Sequence, residues 1–142
     1  MTSLKAWGAT AADSGIGEFP IERRALRPDD VEIDLRYCGI CHTDLHYARN
    51  DWGNSVYPLV PGHEMTGVVR AVGEAVSRYK PGDRVAVGCM VDSCKACPRC
   101  DAGEEQYCNR GNVSTYNGVD RLDGSRTMGG YRPGSSCARI SS

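Results

Sequence analysis

Four cysteines within fifteen residues constrain this chain more than any other feature. Cys94-Lys-Ala-Cys97-Pro-Arg-Cys100 is followed by seven residues and then Cys108. A Cys-x-x-Cys turn puts two thiolates on one side of a tight knuckle, at the separation a tetrahedral ion requires. Two overlapping knuckles and a fourth thiolate complete an all-sulfur shell with no position left for water or substrate, which is the structural type of zinc site. The lobe of about 89–111 around them is polar and holds almost no large apolar residue. It has little core of its own, so metal binding would supply its ordering free energy. An iron–sulfur cluster uses the same four thiolates, and a disulfide cluster is a third reading of the same spacing.

The remaining composition narrows the class. At 142 residues the chain is long enough for one ordinary domain, and 40% hydrophobic with 25% charged residues describes a globular protein, not a disordered one. Lys and Arg number 17 against 18 Asp and Glu, a net charge of −1. Nucleic-acid binding by mass electrostatics needs a basic excess and is not expected. No apolar run approaches the roughly 20 residues of a membrane helix. The opening Met1–Trp7 lacks the apolar core of a signal peptide, so the expected location is cytoplasmic. Reducing surroundings favour metal or redox chemistry over disulfides for eight cysteines.

A second constellation lies upstream. Tyr37-Cys38-Gly39-Ile40-Cys41-His42-Thr43-Asp44-Leu45-His46 precedes Pro61-Gly62-His63-Glu64. Cys41 and His63 are one soft and one borderline ligand, with carboxylates beside each at Asp44 and Glu64. That mixture suits a catalytic zinc, which takes three protein ligands and keeps its fourth position open. The carboxylates could orient the imidazole or briefly replace water on the metal. The alternative for His63 is a surface or packing histidine. Cys38-x-x-Cys41 also matches a redox pair, although the βαβ context of a thioredoxin-like motif is missing. Cys38 and Cys89 read most simply as small buried apolar residues.

Periodicity predicts mostly strand. Val31–Tyr37 alternates apolar and charged residues and delivers Cys38 and Cys41 to its end. Residues 67–72 and 84–88 read as further strands, with turns at Arg27–Asp30 and Lys80–Asp83. A short helix is predicted from His42 to Arg49, with Leu45 and Ala48 at helical spacing. Short strands separated by turn signals favour a barrel or sandwich over a layered α/β sheet.

These motifs together resemble a family. Gly62-His63-Glu64-x-x-Gly67-x5-Gly73-x-x-Val76 is similar to the signature of zinc-containing alcohol dehydrogenases of the medium-chain dehydrogenase/reductase superfamily. Tyr37–His46, Tyr57–Glu64 and Val91–Cys97 resemble its cinnamyl-alcohol-dehydrogenase-like, usually NADP-dependent branch, and the match runs from about residue 4 to Tyr131. The resemblance implies a mainly β fold, a GroES-like partly open β-barrel with a small zinc-binding lobe and short helices. It implies Cys41 and His63 as catalytic-zinc ligands with Glu64 as the neighbouring acid, and a structural zinc on Cys94, Cys97, Cys100 and Cys108. Thr43 would take the alcohol's proton and pass it by way of the cofactor ribose toward His46, while His42 would meet the cofactor phosphates. Thr43 has a competing role as a helix N-cap beside Asp44. Trp52 and Tyr57 are candidates for the substrate pocket, with packing the stronger reading for Tyr57.

Three departures from that family bear on activity. The third protein ligand of the catalytic zinc is a cysteine absent from these 142 residues, and the surroundings of Cys137 do not resemble its segment. Gly15-Ile-Gly17 is followed by Glu-Phe-Pro and no helix, so it reads as a loop and no Rossmann domain is expected here. After Tyr131 the chain turns polar and patternless. The expected layout is therefore a GroES-like domain over 1–131 and a disordered tail over 132–142, the product of a frame interrupted after Tyr131. The expected function is reversible NADP-linked oxidation of primary alcohols to aldehydes, carried by a catalytic-domain fragment inactive alone. The alternative is a zinc-binding β-barrel module without catalytic activity.

Overall fold

The computed structural model describes the backbone of residues 2–132 and 135–138 and the side chains of 3–132. Strands dominate. A hairpin of β1 (Thr2–Gly8) and β2 (Gly17–Arg23) pairs antiparallel from Thr2↔Arg23 to Gly8↔Gly17. Gly15 and Gly17 thus lie where two antiparallel strands are joined. Strand β1 precedes them and strand β2, not a helix, follows, so they form a hairpin connection and not a phosphate-binding turn.

The central sheet has the order β5-β4-β3-β8, built from β3 (Val31–Cys38), β4 (Met65–Val72), β5 (Arg84–Val87) and β8 (Ser135–Ala138). Alternation in β3 turns Val31 and Ile33 inward, where they meet Met65, Val69 and Val87. Each such side chain contributes roughly 1.5–3 kcal/mol on burial. A second cluster, Ala6, Ile21 and Val60, seats the hairpin on the loop ahead of β4, with Met128 and Tyr131 packed against it. A small sheet of β6 (Met90–Asp92) and β7 (Val113–Ser114) brackets the cysteine-rich lobe. Among the described residues the three sheets do not close on one another, so the barrel is partly open.

Strand β8 differs from the expected disordered tail. Its register against β3 runs from Val31↔Ala138 to Asp34↔Ser135. Backbone groups on the free edge of β3 are satisfied by any extended segment, so pairing here needs no apolar alternation. The rest of the tail, at 133, 134 and 139–142, lies outside the described residues.

Helix α1 (His42–Arg49) carries the other element of the site. Eight residues make a marginal helix, and its ends are tied accordingly. Cys41 is its N-cap, its N–H donating to Asp44 Oδ2 at 2.9 Å, and Asn50 closes the C-terminus in the left-handed region at φ 57°. Thr43 is therefore inside the first turn, and the cap assigned to it falls to Cys41. The helix lies where the sequence predicts it, and its buried residues are Asp44 and Ala48, with Leu45 half-buried. The Asp44 carboxylate is buried there because backbone donors from Cys41 and Gly62 reach it.

Candidate metal centres

The lobe after β6 is folded around sulfur. Cys94 follows β6, Cys97 caps the one-turn helix α2 (Pro98–Asp101), Cys100 lies within it, and Cys108 follows the 3₁₀ turn Glu105–Tyr107. The four Sγ atoms lie within 4.8 Å of one another. Cys94 and Cys100 are 3.9 Å apart and Cys97 and Cys100 3.5 Å. Four sulfurs at a zinc–sulfur distance of 2.3 Å would stand about 3.8 Å apart in a tetrahedron, so the donor set fits that ion. Two backbone N–H groups point at the sulfurs as well, Cys94 to Cys108 Sγ at 3.4 Å and Asn109 to Cys97 Sγ at 3.5 Å.

These thiols do not ionise independently. Backbone N–H donation from Cys100 and Asn109 draws Cys97 down to about 6. At Cys94 the Ala96 N–H favours the thiolate, yet desolvation and hydrogen bonds with the other three sulfurs push it up to about 11. Four thiolates in this space require a cation to neutralise them. None of the described cysteines is in a disulfide.

The second centre lies where β3, α1 and the loop before β4 meet. Ligand atoms of Cys41, His63 and Glu64 lie within 4.8 Å of one another. Gly39 permits this approach, because a Cβ there would stand 2.6 Å from Glu64 Oε2. A cysteine sulfur, an imidazole and an exposed carboxylate make a mixed and open donor set, the kind a catalytic zinc accepts. Beside it, Cys41 Sγ donates to Thr43 Oγ1 at 3.5 Å.

Asp44 underlies this arrangement. It is 1% exposed and accepts from Cys41 N–H at 2.9 Å, Gly62 N–H at 3.0 Å and the Tyr131 hydroxyl at 2.7 Å. Its Oδ1 stands 3.8 Å from His63 Nδ1. Burial alone would raise its pKa, but donors from Cys41, Tyr131 and Gly62 outweigh burial and hold it below the ordinary value. The buried Tyr116 lies flat against His63, and Tyr47 meets Tyr116 edge-on. Tyr116 and Tyr131 were not singled out from the sequence as site residues. The one local signal was Gly129-Gly130 before Tyr131, a pair of glycines marking a close backbone approach.

The other candidate residues are distributed as follows. His42 is exposed on the first turn of α1. His46 Nδ1 lies 2.8 Å from Asp51 Oδ2, with its ring 5.0 Å from that of the half-exposed Trp52. Tyr57 donates to the Ala48 carbonyl at 2.8 Å, a helix-anchoring role that agrees with packing. Cys38 is half-buried at the end of β3, and burial pushes its thiol up, opposite to a redox-active thiolate. Cys89 is exposed, not buried as expected, because it follows the short β5 at the rim of the sheet. Cys137 pairs in register with Glu32, six residues along β3 from Cys38 and roughly 20 Å away. Its side chain lies outside the described residues.

Residues 27–136 match the model of the alcohol dehydrogenase GroES-like domain. The chain belongs to that family. This GroES-like domain is 52% identical over 132 residues to the NADP-dependent alcohol dehydrogenase C 1 of Mycolicibacterium smegmatis, covering 92% of this chain and 38% of that relative. Among solved structures it resembles a cinnamyl alcohol dehydrogenase of Sorghum bicolor, with a TM-score of 0.90, 43% identity, and coverage of 96% of this chain and 38% of that one. The protein called CAD from Helicobacter pylori, complexed with NADP(H), follows at a TM-score of 0.86 and 40% identity, with coverage of 96% and 38%. The family and branch resembled by the sequence motifs are thus those of these relatives, and the GroES-like domain has the mainly β, partly open form expected of it. The chain spans 38% of the length of these relatives. Among the described residues no helix is long and apolar enough to cross a membrane.

Proposed function

We propose that these 142 residues form the metal-binding and proton-handling part of a zinc-dependent, NADP-linked alcohol dehydrogenase acting on small primary alcohols and aldehydes in the cytoplasm. The convergence of Cys41, His63 and Glu64 within 4.8 Å, beside the Thr43 hydroxyl, carries this reading. The names of the relatives support the reaction class.

Cys41, His63 and Glu64 would hold the catalytic ion, and Cys94, Cys97, Cys100 and Cys108 the structural one. When bound, zinc would supply a Lewis acid for the substrate hydroxyl and NADP would supply the hydride acceptor. Thr43 Oγ1 would accept the substrate's proton while giving up its own hydroxyl proton, so that it relays one proton outward and ends as a neutral hydroxyl. His46, one turn along α1 and oriented by Asp51, hands a proton to solvent. His42 offers an exposed imidazole to a cofactor phosphate.

We further infer a GroES-like unit over 1–131 with its sulfur lobe at about 89–111. Hydride transfer requires a nicotinamide held against the substrate, and among the described residues no dinucleotide cradle accompanies His42. The 142 residues alone therefore turn over negligibly. The second reading, a zinc-binding β-barrel module, is favoured by the closed four-cysteine shell.

Zinc stoichiometry of the purified chain separates the two. Two equivalents are expected, one removed by Cys41→Ser and the other by Cys97→Ser. A single equivalent indifferent to Cys41→Ser would overturn the catalytic-site reading and leave the module. Measurable NADPH-dependent aldehyde reduction by the 142-residue chain would overturn the inference that it is inactive alone.

A further inference from the structure

The run Gly129-Gly130-Tyr131 has no part in the metal ligands or the proton route described above. Its backbone nevertheless docks along the loop that delivers His63. Gly129 N–H donates to Val60 O at 2.7 Å, Gly130 N–H to Gly62 O at 2.9 Å, and Tyr131 N–H to Pro61 O at 3.1 Å. Trp7 N–H in turn donates to Tyr131 O at 2.7 Å, tying this strap to β1. The approach is close enough that a Cβ on Gly129 would stand 2.2 Å from Pro61 O, and one on Gly130 2.4 Å from Met65 Sδ. Gly62, at φ +101°, could not carry a side chain without meeting Cys38 Sγ and the Tyr131 ring.

This docking fixes where the Tyr131 hydroxyl ends. It reaches Asp44 Oδ2 at 2.7 Å, the same oxygen that accepts from Cys41 N–H. The other oxygen accepts from Gly62 N–H and faces His63 Nδ1. One buried carboxylate therefore orients the backbone at Cys41 and lies against the ring of His63, and Tyr131 restricts its rotation. A ligand's hydrogen-bonded neighbours set its orientation, and losing one typically weakens metal binding about 10–100-fold.

We propose that Tyr131 is a positioning residue for the Cys41–His63–Glu64 centre, acting through Asp44. The proposal rests on the metal reading of that centre. Tyr131 also packs against Ala6, Ile21 and Val60, so a purely structural role must be told apart from a positioning one. The four-cysteine centre is an internal standard for this, since the hydrogen bonds of Tyr131 run to Trp7, Pro61 and Asp44 and not to those cysteines.

The test is a cobalt(II) titration of the full 142-residue chain, followed by absorption. The all-sulfur centre gives strong thiolate-to-cobalt bands and the mixed centre a weaker spectrum from one thiolate. In Tyr131→Phe, which keeps the ring and removes the hydroxyl, affinity at the mixed centre should fall about tenfold with its visible bands shifted. The all-sulfur centre should be unchanged. Asp44→Asn should reproduce the loss, and adding Tyr131→Phe to it should cost nothing further. Equal binding by wild type and Tyr131→Phe at both centres would overturn the proposal, as would parallel weakening of both. A wild-type chain that takes up cobalt only at the four cysteines would instead overturn the metal reading of Cys41, His63 and Glu64, and this proposal with it.

Discussion

Tyr116 stacks on His63, the two rings 5.6 Å apart between centroids and 3° from parallel. Tyr116 is 3% exposed, so its ring serves both as core and as a wall fixing the imidazole plane. Replacing it with alanine should cost about 3–5 kcal/mol of stability and disorder the His63 ring. Phenylalanine should retain the stack and most of the stability. Denaturant unfolding of both variants checks the magnitude, and the His63 ring resonances in NMR check the disorder.

Cys97 should be the most sensitive position in the sulfur lobe, because it caps α2 and accepts from Asn109 N–H. Cys97→Ser should release one zinc and melt the 89–111 segment while leaving the central sheet paired. Hydrogen exchange should show lost protection confined to that segment. Retained zinc with an unaltered melting curve would refute the four-cysteine assignment.

Chelation should have the same local effect, since the lobe has little apolar core to hold it once the thiolates are free. Excess chelator is expected to unfold 89–111 first, and zinc addition to restore it. Protection of amides in β3 and β4 should survive the treatment, because Ile33, Val69 and Met65 are buried independently of the metal.

Acid should weaken the fold through Asp44. Its folded pKa lies below the ordinary 3.8, so the unfolded chain binds that proton more tightly than the folded one. The stabilisation is complete above the unfolded value and is lost as pH falls through the lowered folded value. The stability difference between wild type and Asp44→Asn, measured by denaturant from pH 3 to 7, should therefore shrink at the acid end. A constant difference across that range would contradict the assignment.

Asp30 is fully buried and paired with Arg24, while Arg27 joins Asp120 at 2.9 Å and also Asp123. Arg24→Ala leaves the Asp30 carboxylate with the Arg27 N–H at 2.8 Å but without its bidentate cation. A loss on the order of 2–3 kcal/mol is expected, below that for a fully buried pair because Arg24 is partly solvated. Thermal unfolding of Arg24→Ala beside Arg24→Lys gives the measurement.

Much of the architecture was legible from residue order. Alternation placed β3, β4 and β5 within two residues of where they lie, and helical spacing placed α1 over His42–Arg49. The four-cysteine run could be read as one cluster because its members are close in sequence and local turns suffice to bring the sulfurs together. Strand β8 was not legible. Its residues carry no pattern, and its pairing is decided by the free edge of β3. Asp44 was noted as a carboxylate near a ligand, but its burial depends on donors from Gly62 and Tyr131, 18 and 87 residues away.

The sequence by itself determined the family, the strand-rich class and the local sulfur cluster, because each depends on spacings of a few residues. Tertiary structure alone decided how Cys41, His63 and Glu64 come together, which carboxylate lies beside them, that Tyr116 stacks on His63, and that Tyr131 bonds to Asp44. Those contacts join segments distant in the chain. The backbone docking of Gly129–Tyr131 on Val60–Gly62 is one of them, and no periodicity or motif spacing encodes it.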